Sequence, residues 1–285
     1  MRYALLLFSV AVLIQPALAQ QDSSRVMTGY RLTLVDGSDI VGSIVKEDSL
    51  HVDFRTISGI MMAVPRNQIK SMVSLSGSIV DGEYRASDPN YTRLFFAPTG
   101  RALKSGQGYF SAYEIFFPFI AIGIGDAVTL AGGMSLFPGI ESEIYYIAPK
   151  FTPLHLQNFD LSIGLLYINS WARYASGGGI MYGVGPYGSK DNALTVGLGW
   201  GFTGGEIGNK PVLLLGGEVR VSNSIKLITE NWIPPGTDLV FYSFGVRFFG
   251  ENLAADLGFV HPSQMNSGGF PFVPWLGFAY NFGAK

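Results

Sequence analysis

Six charged residues between positions 218 and 256 are the first candidates for a polar site. They lie in segments that alternate apolar with small or polar residues, and successive side chains of a β-strand point to opposite faces. The alternation therefore predicts that all six point to the same, non-lipid side of neighbouring strands. Such a wall could be an ion-pair network that fills an interior, or a lining that selects a solute, with proton transfer as a third alternative. The six are Glu218, Arg220, Lys226, Glu230, Arg247 and Asp256.

Hydrolytic chemistry would need a nucleophile activated by a histidine that a third group orients. The sequence offers His51, His155 and His261. His261 lies two residues before Ser263, a spacing that needs a bend between them to bring imidazole and hydroxyl together. A lipid-modifying hydrolase or acyltransferase that uses His155 or His261 is therefore one alternative function.

Metal, cofactor and nucleic-acid binding have little support. The chain has no cysteine, which removes thiol catalysis, disulfides and cysteine-based metal sites. The close acidic pairs Asp36 with Asp39 and Glu47 with Asp48 are ordinary turn composition. The formal net charge of −2 gives no basic patch for nucleic acid. We expect no metal, no cofactor and no nucleic-acid partner.

The strands that would position the six charges have the pattern of a barrel in lipid. The chain has 285 residues, of which 37 are glycine and only 14% are charged. In residues 194–202 and 240–248, large apolar side chains hold one face, whereas the other face is mainly glycine, serine and threonine. A soluble strand would place charged residues on its wet face. A small or polar inner face with an apolar outer face is typical of a membrane barrel.

Short turns alternate with longer connections after residue 92, which is the pattern of outer-membrane barrels. Their number predicts about 12 strands, in agreement with the even strand number of such barrels. The first strand is either residues 93–97 or the front half of 108–124. The predicted short turns are residues 125–126, 157–160, 189–192, 222–224 and 250–252.

Aromatic residues near the predicted strand ends indicate where lipid headgroups would lie, because tryptophan and tyrosine collect at membrane interfaces. A sugar-binding stack of aromatic rings would look the same in sequence. The predicted interface residues are Trp171, Trp200, Trp232, Trp275, Tyr280 and Phe282.

The N-terminal third has a different organisation. Residues 1–19 predict a cleaved signal peptide, with Arg2, an apolar run over 4–14 and the sequence Ala17-Leu18-Ala19 before the cleavage point. Residues 26–75 predict five short strands that resemble an SH3-like or Sm-like β-domain. Residues 76–91 are polar and predict a linker, after which residues 92–285 form the barrel.

Residues 92–285 resemble bacterial outer-membrane β-barrel proteins. The resemblance rests on the export signal, the glycine and aromatic alternation, and the last strand, which ends in Phe282 before Gly283-Ala284-Lys285. It implies insertion into the bacterial outer membrane by the barrel-assembly machinery, with outer-membrane lipid around the barrel. The N-terminal domain would then lie in the periplasm, where it could meet a periplasmic protein or the cell wall.

The predicted fold class is all-β: a transmembrane antiparallel β-barrel of about 12 strands preceded by a small periplasmic β-barrel-like domain. The predicted function is non-enzymatic, as a narrow channel or solute-binding barrel with a periplasmic docking domain. A structural or assembly barrel with a closed lumen is the alternative from a second class, beside the lipid-modifying enzyme.

Overall fold

The computed structural model describes residues 27–137, 143–172, 176–264 and 271–283. Within these ranges the chain forms twenty β-strands, one short 3-10 turn and two separate sheets. The all-β prediction is therefore confirmed. The predicted signal peptide at residues 1–19 lies outside the described residues. None of the helical structure in these ranges is long and apolar enough to cross a membrane.

The N-terminal sheet has six antiparallel strands in the order β4-β3-β2-β1-β5-β6. Its core is the fully buried trio Leu32, Val52 and Phe54. Gly37, with φ at +89°, makes the hairpin turn between the first two strands. An SH3-like or Sm-like class for this sheet stays a prediction. The strands are β1 (Met27–Leu34), β2 (Asp39–Glu47), β3 (His51–Thr56), β4 (Met61–Pro65), β5 (Ile69–Val80) and β6 (Glu83–Arg85), with the 3-10 turn at Arg66–Gln68 before β5.

The second sheet closes on itself as a barrel. Its first and last strands, β7 and β20, pair antiparallel, as do all its other neighbours. Two short strands, β10 and β11, share one position between β9 and β12, and β15 only extends β14. The circumference therefore holds twelve strands. They are β7 (Gly108–Tyr113), β8 (Phe117–Ile124), β9 (Val128–Met134), β10 (Ile144–Ile147), β11 (Lys150–His155), β12 (Asp160–Ser170), β13 (Gly178–Gly188), β14 (Asn192–Thr203), β15 (Glu206–Ile207), β16 (Val212–Ser222), β17 (Ile225–Ile233), β18 (Phe241–Phe249), β19 (Leu253–Pro262) and β20 (Val273–Phe282).

The twelve-strand prediction is thus confirmed. The two candidates for the first strand are resolved in favour of the front half of 108–124, which is β7. The short connections follow β8, β11, β13, β16 and β18, as predicted, and define what we call the short-turn end of the barrel. The opposite end, where most connections are longer, is the long-loop end.

The two faces of the barrel wall are opposite to those of a soluble protein. Large apolar side chains such as Phe244, Leu257 and Phe278 point outward and are 46–51% exposed. Their neighbours Ser243, Asp256 and Ala279 point inward and are buried. A soluble protein buries its large apolar side chains and almost never buries an unpaired charge. The wall has the outward apolar face of a barrel that sits in lipid.

The N-terminal sheet contacts the short-turn end. The backbone N–H and the hydroxyl of Ser76 both donate to the Glu251 carboxylate, each at 3.1 Å, in the turn between β18 and β19. Asn223, in the turn between β16 and β17, donates to the Glu83 carboxylate at 2.5 Å. The sheet therefore stands at the end of the barrel that carries the short turns.

Residues 86–107, between β6 and β7, run inside the barrel, and we call this segment the plug. The domain boundaries consequently differ from those placed on the sequence: β5 and β6 extend to Arg85, and the first wall strand begins at Gly108. Of the predicted linker 76–91, residues 76–80 and 83–85 belong to β5 and β6, and only residues 86–91 enter the barrel, where the surrounding lumen is itself polar. A segment that hydrogen-bonds to polar wall residues needs no apolar pattern of its own.

Candidate functional site

The plug enters the barrel from the short-turn end, turns once and returns. Its turn closes with hydrogen bonds from Leu94 N to Ala97 O at 2.9 Å and from Thr99 N to Thr92 O at 2.9 Å. Leu94, Ala97 and Thr99 are fully buried. Phe96, at the tip of the turn, is 43% exposed and faces the long-loop end. The plug is therefore a hairpin-like insert whose sides contact the wall and whose tip faces the long-loop end.

A chain of buried charges joins the plug to the wall. It begins with Arg101 of the plug, whose Nη1 lies 2.5 Å from Glu218 Oε1 on β16. Glu218 Oε2 lies 2.7 Å from Lys226 Nζ on β17, and the same Nζ lies 2.9 Å from Asp88 Oδ2 of the plug. All four side chains are at most 5% exposed. Each carboxylate in this half thus lies between two cations.

The other half of the chain continues the alternation. Asp88 Oδ2 accepts a second bond, from Arg247 Nη1 on β18 at 3.2 Å. Arg247 Nε lies 2.6 Å from Asp256 Oδ1 on β19, and Asp256 Oδ2 lies 2.7 Å from Arg93 Nη1 of the plug. Seven buried charges therefore alternate in sign from plug to wall and back, and at the Arg101 end the half-buried Asp160 carboxylate lies a further 3.9 Å from Arg101 Nε. In order they are Arg101, Glu218, Lys226, Asp88, Arg247, Asp256 and Arg93.

Arg247 also holds the plug backbone. Its Nη1 donates to Asn90 O at 2.9 Å and to Arg93 O at 3.1 Å, and its Nη2 donates to Leu94 O at 2.5 Å. A guanidinium presents five N–H groups in a planar fork, which suits several acceptors at once. Because these carbonyls belong to the turn region of the plug, Arg247 fixes the position of the whole segment.

Two more wall residues grip the plug without being part of the chain. Glu230 on β17 accepts bonds from the Phe96 and Ala97 N–H groups, both at 3.0 Å, so the plug tip is held by one carboxylate. Lys150 on β11 donates to three plug carbonyls, including Thr99 O at 3.0 Å and Arg101 O at 2.6 Å. Among the described residues no carboxylate oxygen lies within 4.0 Å of the Lys150 ammonium.

Glycines in the wall make room for plug side chains. A Cβ added at Gly216 would lie 2.2 Å from Leu94 Cδ1, and one added at Gly258 would lie 3.2 Å from Phe95 Cζ. The abundant glycine of the inner face is therefore explained, in part, by the close approach of the plug.

The predicted charge cluster is distributed over three places. Glu218, Lys226, Arg247 and Asp256 meet in the alternating chain, whereas Glu230 holds the plug tip. Arg220 lies apart, at the short-turn end, where its Nη2 is 2.7 Å from Asp191 and its guanidinium lies over Phe249. Sequence reasoning missed the plug residues Asp88, Arg93 and Arg101, because no strand pattern marks them, and it also missed Lys150. For Lys150 a signal existed, since it alternates with the outward Phe151 in β11.

The predicted interface aromatics fall into two groups. Trp171, Trp200, Tyr280 and Phe282 are 39–65% exposed. Trp232 and Trp275 lie inside the barrel instead and pack against the buried cluster of Leu94 and Phe95. Trp232 has the same strand parity as Glu230 and donates its Nε1–H to that carboxylate at 2.7 Å. The prediction fails for these two residues because a tryptophan that points inward onto a plug can lie as near a strand end as one at the membrane interface.

The histidines do not assemble a hydrolytic site. His155 Nδ1 is 2.8 Å from Asp160 Oδ1, and His261 Nδ1 is 2.7 Å from the Pro271 carbonyl. His155 thus has an orienting carboxylate, but in the described ranges neither ring bonds to a serine or threonine hydroxyl, and the Ser263 hydroxyl donates to Asp238 O at 3.2 Å instead of to His261. In the part of the chain that the structure describes, no group of three or more histidine, aspartate or glutamate side chains could hold a metal ion.

Comparisons with known proteins return barrels at low similarity. No protein-family model and no curated protein match the chain. A structure titled KdgM porin in complex with disordered oligogalacturonate is 10% identical and has a TM-score of 0.47, covering 62% of this chain and 98% of that one. Omp33, an outer membrane protein of Acinetobacter baumannii, is 9% identical with a TM-score of 0.37, covering 65% and 99%. OmpT lacking loop L8, an outer membrane protein of Vibrio cholerae, is 13% identical with a TM-score of 0.36, covering 92% and 100%.

Proposed function

We propose that this protein is a bacterial outer-membrane barrel that is closed at rest by its own plug and admits a solute when the plug yields. The observation that carries the proposal is the alternating chain of seven buried charges between plug and wall. A wide pore would have a solvated lumen, whereas here the charged side chains of the lumen form ion pairs and hydrogen bonds with an internal segment. The role is non-enzymatic, as a gated channel or a solute-binding barrel.

The membrane part of the proposal is supported by the outward face. A belt of exposed large apolar side chains surrounds a closed barrel, and a closed barrel leaves no strand edge unpaired in lipid. Barrels of this kind carry short turns on the periplasmic side and longer loops outside. The N-terminal sheet, at the short-turn end, would then face the periplasm and dock there to a periplasmic protein or the cell wall. Folding in the outer membrane would involve the barrel-assembly machinery.

The test is conductance of the refolded protein in a planar bilayer. One variant replaces residues 89–103 by a flexible glycine and serine linker, which removes the plug but keeps β6 joined to β7. A matched control is Glu47→Gln with Arg66→Gln, which removes an exposed ion pair of the N-terminal sheet. Heat-dependent mobility on gels verifies that each barrel has folded.

We expect the intact protein and the control to stay closed most of the time and the plug variant to conduct steadily. Equal conductance of the intact and plug-deleted barrels would contradict closure by the plug. If the plug-deleted barrel is folded and silent, the closed-lumen structural or assembly role replaces the channel.

A further inference from the structure

A small cavity lies between the plug and the wall strands β7–β13. Its volume is about 100 Å³. A cavity of about 150 Å³ lined by apolar side chains is large enough to bind benzene. The walls are largely aromatic and include the rings of Tyr109, Tyr113, Tyr146 and Tyr182. This cavity is smaller than the one that binds benzene, so a short aliphatic chain fits within it, whereas a body as large as benzene would fit only by extending into neighbouring space.

One side of the cavity is formed by two basic residues, Arg93 and Lys150. Arg93 is 2% exposed, and its Nη1 makes all of its hydrogen bonds, to Asp256, Leu94 O and Phe95 O. Its Nε and Nη2 are buried and have no hydrogen-bond partner. Leaving a buried donor of a charged group unsatisfied is costly. The guanidinium beside the cavity therefore has two nitrogens without a hydrogen-bond partner, and its central carbon lies 5.3 Å from the centre of the Tyr113 ring.

Among the described residues that line the cavity, Arg93 and Lys150 are basic and none is acidic, which favours an anion. Arg93 ends the alternating chain, whose other end, Arg101, lies 3.9 Å from the Asp160 carboxylate, so the four cations of the chain face four carboxylates. Lys150 Nζ, on the same side of the cavity, donates only to plug carbonyls. Glu230, the remaining buried carboxylate of the predicted cluster, is bound to the N–H groups of the plug tip and to Trp232.

We infer that this cavity binds the carboxylate of a small monocarboxylic acid with an apolar body, Nε and Nη2 of Arg93 donating to its two oxygens. An arginine fork and a carboxylate match in such a bidentate geometry. The apolar body would lie among the tyrosine rings and extend toward a second cavity of about 40 Å³, which shares Phe96, Pro98, Leu166 and Tyr182 with the first. The inference rests on the proposed function in one respect, that the solute arrives from the long-loop end past the exposed Phe96.

The experiment measures binding to the full-length folded barrel in detergent by titration calorimetry at pH 7. Benzoate and butyrate are the probes, and benzamide and butyramide are their neutral counterparts of the same shape. We expect one molecule bound per chain and an affinity about tenfold or more higher for the acids, because hydrogen bonds to charged groups are worth more than neutral ones.

Two variants locate the bound acid. Ala131→Leu fills the cavity without touching the charge chain, and we expect it to abolish binding. Its matched control, Ala255→Leu, adds the same side chain to β19 at a position adjacent to Asp256 with outward parity, and should leave the affinity unchanged. Arg93→Gln removes the charge and should lower the affinity for acids about tenfold while the amides change little.

Equal binding of acid and amide would overturn the inference, as would the absence of binding or binding that Ala131→Leu leaves intact. These results are independent of closure. A barrel that binds benzoate but conducts with its plug in place would contradict the proposed function alone, and a closed barrel that ignores benzoate would contradict this inference alone.

Discussion

Arg247 and Asp256 face each other across β18 and β19, Nε 2.6 Å from Oδ1, with neither side chain exposed to solvent. The same carboxylate also holds Arg93 of the plug at 2.7 Å. One aspartate therefore compensates two buried guanidinium groups. Wall and plug depend on the same charge here, as they do at Glu218, which lies between Arg101 of the plug and Lys226 of the wall.

Asp256→Asn keeps the volume of this side chain but removes its charge. Breaking a buried ion pair by removing one partner costs roughly 3–5 kcal/mol, since the other charge stays buried. We expect the free energy of unfolding to fall by about that amount, measured by urea titration in lipid vesicles with tryptophan fluorescence. The control is Asp191→Asn, whose carboxylate pairs with Arg220 but is 34% exposed. Equal losses in the two variants would show that burial of the Asp256 pair adds nothing.

Glu230→Gln tests how the plug tip is held. The Phe96 and Ala97 N–H groups both donate to this carboxylate, and hydrogen bonds to charged groups contribute about 1.5–3 kcal/mol. We expect amide hydrogen exchange at residues 96 and 97 to become about tenfold faster or more. Glu251→Gln, which alters the contact of Ser76 with the short-turn end, should leave the exchange of the tip unchanged. Unchanged exchange in Glu230→Gln would mean that other contacts hold the tip.

Leu257→Arg tests whether the outward face lies in lipid. Leu257 is 46% exposed near the middle of β19. A lipid-facing arginine near the bilayer midplane costs about 2–4 kcal/mol, and we expect that loss of stability in lipid vesicles. Val73→Arg, at a 51% exposed position of the N-terminal sheet, should change stability by less than about 0.5 kcal/mol. A Leu257→Arg variant as stable as Val73→Arg would place this face in water.

Lys190, in the turn between β13 and β14, should react unusually fast with amine-acylating reagents. The Lys190 ammonium lies 3.8 Å from the centre of the Tyr91 ring and is partly removed from water. This burial, together with the nearby cations Lys104 and Arg101, lowers the pKa of Lys190 to about 8. At pH 8 about half of it would be neutral amine, against less than about 1% for an ordinary lysine. Acylation followed by mass spectrometry, with a model lysine peptide as reference, measures the ratio. A rate no higher than that of the peptide would contradict the lowered pKa.

The lowered pKa of Lys190 also makes the free energy of unfolding depend on pH. Because the pKa of Lys190 is lower in the folded state, the unfolded chain binds more protons between about pH 8 and the ordinary value of 10.5. The contribution of Lys190 to the free energy of unfolding therefore rises as pH increases through this window. The difference between Lys190→Met and the unaltered protein, measured at pH 7.5 and at about pH 10, should shift in favour of the unaltered protein at the higher pH.

The wall of the barrel was predictable because strand alternation is local. The pattern around Val246, Arg247 and Phe248 assigns Arg247 to the inner face without knowledge of any other strand, and the register in the structure agrees. Short turns such as the one at 250–252 fixed the strand number in the same way. Each of these inferences needs only a few adjacent residues and a known period.

The plug was not predictable by such reasoning. Its partners are remote: Asp88 meets Arg247, and Arg101 meets Glu218, across more than a hundred residues of sequence. Its own backbone forms a single tight turn, so no period of two or of 3.6 residues marks it. The prediction that Trp232 and Trp275 lie at the membrane interface fails for the same reason, because their burial depends on Leu94 and Phe95, which the sequence places in a candidate first strand rather than in a plug.

The hairpin course of residues 86–107 constrains the order in which the molecule can be built. Both ends of the plug leave by the same mouth, so the wall can close around it without any chain being threaded through a ring. Its charge partners lie on β16–β19, among the last strands in the chain, and contacts of such long sequence separation form late because loop closure must precede them. Until these contacts form, the charges of Asp88, Arg93 and Arg101 have no partner of opposite charge on the wall. We therefore expect the pairing of β20 with β7 and the pairing of the buried plug charges with the wall to occur together, as one cooperative last step of folding.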